Sequence, residues 1–128
     1  MSLRTALKLD AVVTGANGAA YLVAAGPLVD LLGLSPALLR STGAVLLLFS
    51  AAVWTVASRR QVSASAALVV IGVNVLWAAD SIAFLVSGLA DPTTAGGIWI
   101  VMQALVVAGF AGLQAVTRDA ARERALAA

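Results

Sequence analysis

Four long, almost uninterrupted apolar stretches constrain this chain more than anything else in it. They cover residues about 11–32, 41–57, 66–89 and 98–116. A hydrocarbon layer of about 30 Å takes roughly 20 residues of helix to cross. The second stretch is the shortest and needs Leu38 and Leu39 to complete its span. Inside a bilayer the backbone must satisfy its own hydrogen bonds, which leaves helices as the reading. The expected fold is therefore all-α: a single integral membrane domain, a four-transmembrane-helix bundle running up-down-up-down and antiparallel. A tail over 117–128 should follow the last span.

Composition closes off the alternatives. Of the 128 residues, 62% are apolar and only 11% charged, where a soluble domain carries about 25% charged residues. So few charges cannot cover a water-facing surface. A soluble domain, a disordered tail and a nucleic-acid binder with a solvated basic patch are all excluded, so the expected partner is the lipid bilayer and not nucleic acid. There is no Cys and no His, which removes disulfides, thiolate metal sites, the usual haem and zinc ligands and the default general base. No cofactor and no metal site is expected.

The breaks between stretches carry recognisable punctuation. Gly26-Pro27 should kink the end of the first, Ser35-Pro36 should open the second, and Asp91-Pro92-Thr93-Thr94 with Gly96-Gly97 should join the third to the fourth. Seven of the eight basic residues (Arg4, Lys8, Arg59, Arg60, Arg118, Arg122 and Arg124) fall on one side of a four-pass topology, and only Arg40 on the other. By the positive-inside rule both termini should be cytoplasmic. The first apolar run exceeds the 7–15 residues of a signal-peptide core, so it is expected to remain as a span. A parallel two-helix repeat is also discernible: Ala20-Tyr21-Leu22-Val23 aligns with Ala83-Phe84-Leu85-Val86 and sets Asn17 opposite Asp80.

One apparent motif dissolves on inspection. Thr14-Gly15-Ala16-Asn17-Gly18 resembles the dinucleotide-binding turn of short-chain dehydrogenases, but the strand, the third glycine and the βαβ context are missing. Small residues four apart, Gly15/Ala19 and Ala104/Ala108/Gly112, are instead expected to let helices approach closely, within the bundle or in a homo-oligomer.

The intramembrane polar residues are the functional candidates. At 100° per residue, Asp10, Thr14, Asn17 and Tyr21 share a stripe of the first helix. Asn74, Trp77, Asp80, Ser81 and Phe84 share a face of the third, and Trp99, Gln103, Phe110 and Gln114 a line of the fourth. These stripes should face one another. Asp10 is expected near the interface, where it can reach water or pair with Lys8 or an arginine of the neighbouring loop. Asp80 lies deeper, and a carboxylate at the bilayer centre costs about 2.5–3.5 kcal/mol. It should be neutral or look into a wet cavity, and it is the leading site residue, with Asn17, Tyr21, Asn74, Trp77, Ser81, Phe84 and Gln103 as binding candidates. The simpler alternative is that Asp80 hydrogen-bonds Gln103 or Asn17 and locks the helices together. Trp54 and Trp99 suit the interfacial belt.

The stretches Leu9-Asp10-Ala11-Val12-Val13, Leu76-Trp77-Ala78-Ala79-Asp80 and Gln103-Ala104-Leu105-Val106-Val107 give a chain that resembles small four-helix integral membrane proteins of actinobacterial type. That resemblance implies the fold and no activity. Small multidrug exporters differ in carrying a Glu in their first helix, absent here. Three functions are consistent with the residues: binding of a lipid, a lipophilic small molecule or a partner membrane subunit; proton-coupled transport through Asp80; and isomerase or cyclase chemistry on an isoprenoid or sterol-like substrate with Asp80 as general acid.

Overall fold

A computed structural model describes residues 1–127. The described residues form five helices: α1 (Leu3–Val23), α2 (Ala25–Leu32), α3 (Pro36–Ser58), α4 (Ala64–Ser87) and α5 (Thr94–Ala127). Three of them, α3, α4 and α5, are long and apolar enough to cross a membrane, and the count becomes four if α1 and α2 form one broken span. Only 11–22% of the most apolar window in each of these three is buried within the protein. The rest is the aliphatic surface that a multi-pass protein turns to lipid.

The first helix departs from expectation. It begins at Leu3, not near residue 11, and breaks at Ala24, where α2 turns away by 95°. At 1.5 Å per residue, α1 alone is about 31 Å long. Its early start has a sequence basis: Leu3, Leu7, Asp10, Thr14, Asn17 and Tyr21 repeat at alternating spacings of four and three, a seam for facing other helices. Pro27 explains the break, because in a continuous helix its ring would meet the Val23 carbonyl and leave it unbonded. Gly33 then ends α2 in the left-handed region at φ 69°. Thr93 ties this corner to α5: its N–H donates to Leu32 O (3.1 Å), its hydroxyl donates to Leu31 O (2.6 Å), and that hydroxyl accepts from the Gly96 N–H (3.0 Å).

Packing is strongest within two helix pairs, α1 on α3 and α4 on α5, with α1 also against α5; α3 and α4 scarcely touch. The α1–α3 crossing is close because Gly18 and Gly43 meet there. A Cβ on either would lie 2.8 Å from the other's carbonyl oxygen, so backbone packs on backbone. Ser50 adds a hydroxyl donated to Ala11 O at 2.6 Å. The small residues of α5 divide, Ala104 being buried while Ala108 and Gly112 are exposed.

The basic residues gather the chain at one end. The Arg4 guanidinium donates to the carbonyls of Ala57 (2.5 Å), Arg59 (2.8 Å) and Arg60 (3.2 Å), closing the end of α3. Arg118 Nε donates to Ala64 O at the start of α4 (3.1 Å). Lys8 Nζ sits 5.1 Å from the centre of the exposed Trp54 ring. Beyond Thr117, the expected tail continues as helix to Ala127.

Candidate functional site

The polar stripes resolve into two separate clusters. Near the basic end, Asp10 is buried to 1% exposure, with Asn74 at 3% and Gln114 at 0%. Asp10 Oδ2 accepts from Asn74 Nδ2 and from Gln114 Nε2, both at 2.7 Å, and Oδ1 accepts from the Thr14 hydroxyl at 2.9 Å. Asn74 Nδ2 also donates to Gln114 Oε1 at 3.1 Å. Three helices are thereby joined through one carboxyl. A core of Leu3, Leu7, Ala11, Val53, Ala57, Ala67 and Val70 closes over this end.

This corrects two expectations. Asp10 reaches neither water nor an ion-pair partner: it is buried, Lys8 is engaged with Trp54, and the one ion pair among the described residues is Arg118–Asp119 at the surface (3.7 Å). Asn74 belongs to the Asp10 cluster. Gln114, on the stripe but without an assigned role, completes it. The signal that could have revealed this is the heptad-like seam from Leu3 to Tyr21, which carries Asp10 inward with the rest.

Toward the opposite end the helices part. A cleft of about 210 Å³ lies between α3 and α4, and Tyr21, Thr42, Trp77, Asp80, Phe84 and Trp99 are among the side chains that line it. Ser81 and Gln103 also contribute. Of the expected site residues, Tyr21, Trp77, Asp80, Ser81, Phe84 and Gln103 therefore come together here. The α3 wall, formed by Leu38, Leu39 and Thr42, offered a single hydroxyl and no polar or aromatic stripe to announce it. A second cavity of about 120 Å³ lies deeper among α1, α3, α4 and α5, and Asn17 and Asn74 are on its lining. Trp77 and Gln103 border both spaces.

Hydrogen bonding within the cleft is uneven. The Tyr21 hydroxyl donates to Gln103 Oε1 (2.9 Å) and accepts from Trp99 Nε1 (2.7 Å), tying α1 to α5. Ser81 donates to the Trp77 carbonyl one turn back (2.7 Å). Trp77 Nε1 is buried with no partner. Asp80 is exposed, and among the described residues no hydrogen bond or ion pair reaches its carboxyl. The expected lock to Gln103 or Asn17 is not formed; Gln103 Oε1 instead accepts from Tyr21. Asp80 lies seven residues before the end of α4, about 10 Å along the helix axis. Among the described residues, no three His, Cys, Asp or Glu side chains gather as a metal site.

Comparisons with protein-family models, curated proteins and solved structures find no match to this chain. Function must be argued from the site.

Proposed function

We propose that this chain is a four-span antiparallel membrane bundle whose α3–α4 cleft binds a lipophilic small molecule. The observation carrying this reading is the cleft itself, about 210 Å³ walled by aliphatic and aromatic side chains, with the partnerless carboxyl of Asp80 on its lining. Apolar walls with a few convergent polar groups are the usual make-up of a small-molecule site. The orientation follows from charge: the basic end, with Arg4, Arg59, Arg60 and Arg118, faces the cytoplasm, and α2 lies toward the opposite surface.

Native mass spectrometry of the full chain, extracted in mild detergent and offered a panel of lipophiles of differing charge, tests the reading. The expected result is a retained small molecule on the wild type that Thr42→Trp, which fills the cleft from α3, excludes. Absence of retention, or equal retention by both proteins, would overturn it.

A further inference from the structure

We infer that the cleft selects a lipophilic organic cation, a substituted ammonium of roughly aromatic-ring size, with Asp80 as its counter-charge; this rests on the cleft being a ligand site. Asp10 on α1 and Asp80 on α4 make the case by contrast. Asp10 is surrounded by donors and accepts three hydrogen bonds. Asp80 has aromatic neighbours in place of donors. Trp77 and Phe84 flank it on α4, and Tyr21 and Trp99 stand on the same cleft. The polar atoms of Tyr21 and Trp99 are already tied to each other and to Gln103, so their contribution to the cleft is ring surface.

Such surroundings suit the acid's opposite better than the acid. Aromatic faces attract cations through their quadrupoles, more so away from water. A carboxylate at this depth, in weakly polar surroundings, interacts strongly with any positive charge brought beside it. Among the described residues no cation of the protein pairs with Asp80: Arg4 is held at the end of α3, Lys8 at Trp54 and Arg118 at the start of α4, and Arg40 is exposed on α3 without an ion pair to it. A neutral lipid would gain from the apolar walls yet leave the acid unmatched. An anionic one would meet repulsion. Because α3 and α4 scarcely touch along the cleft, such a cation can reach the site from the bilayer, its ring leading between the two helices.

The test is binding of benzyltrimethylammonium against its uncharged carbon isostere, neopentylbenzene. Both are titrated into the full chain in zwitterionic-lipid nanodiscs, followed by ligand-observed NMR, with protein-free nanodiscs as reference. The expected result is binding of the cation about tenfold tighter than the isostere, with that preference abolished in Asp80→Asn while isostere binding persists. Unchanged thermal unfolding of the variant establishes that it folds. Equal binding of the two probes overturns the charge selection and leaves a lipophile site standing. A preference that survives in Asp80→Asn overturns the role of that residue. Binding of neither probe, together with no retained molecule by mass spectrometry, overturns both this inference and the ligand-site reading.

Discussion

Asp10 and Asp80 stand at matched positions, each seven residues in from the end of its helix, yet the molecule treats them oppositely. Around Asp10, α1, α4 and α5 converge, aliphatic side chains seal the end, and two amides and a hydroxyl satisfy the carboxyl. Around Asp80, α3 and α4 diverge, and the acid looks into a cleft with no partner of its own. The lesson is that depth alone does not define an intramembrane acid. An acid whose donors come from its own protein fastens helices together, whereas one left without donors keeps its interaction energy for something else.

That contrast can be broken at either end. The largest effect should come from Gln114→Leu, which removes one donor from Asp10 and an acceptor from Asn74 inside a sealed core; a loss of about 3 kcal/mol in unfolding free energy is expected. Denaturant titration in detergent measures it, and a loss below about 0.5 kcal/mol would mean the cluster fastens nothing. Next comes Gly43→Val, which forces side-chain atoms against the Gly18 carbonyl. Overpacking there should cost about 2 kcal/mol and, by moving one wall, weaken ligand retention in native mass spectrometry. A full-strength complex would show that the α1–α3 seam does not set the cleft. Tyr21→Phe strips Trp99 of its acceptor and Gln103 of its donor, for about 1 kcal/mol, visible as a lower melting temperature. The smallest change belongs to Asp80→Asn, within about 0.5 kcal/mol of wild type, because no internal partner is lost. A large destabilisation would move Asp80 into the same structural class as Asp10.

Much of the helical architecture was legible because stretches apolar on all faces admit no other structure in lipid. Pro27 marked the break near Ala24 for the same local reason. The start of α1 was obscured by Arg4, Lys8 and Asp10, which look like the flank of a span. Each is accommodated by a contact the local sequence cannot display: carbonyls at the end of α3, the ring of Trp54, and the amides of α4 and α5. The earlier start of the helix carries Asp10 into the interior of the protein. For the site, the 3.6-residue period identified which side chains share a helix face. It could not say which residue across the gap each would meet, so Asn74 was grouped with Asp80 although Asp10 and Gln114 hold it. The α3 wall of Leu38, Leu39 and Thr42 was invisible for a further reason: ordinary aliphatic side chains line lipid and clefts alike.

Chemical labelling by dicyclohexylcarbodiimide, a carboxyl reagent that partitions into membranes, tests the division between the two acids most directly. Peptide mapping after treatment of the folded protein in lipid should find the adduct on Asp80 and not on Asp10, with benzyltrimethylammonium slowing the reaction. Modification of Asp10 at a comparable rate, or labelling of Asp80 that benzyltrimethylammonium does not slow, would contradict the account.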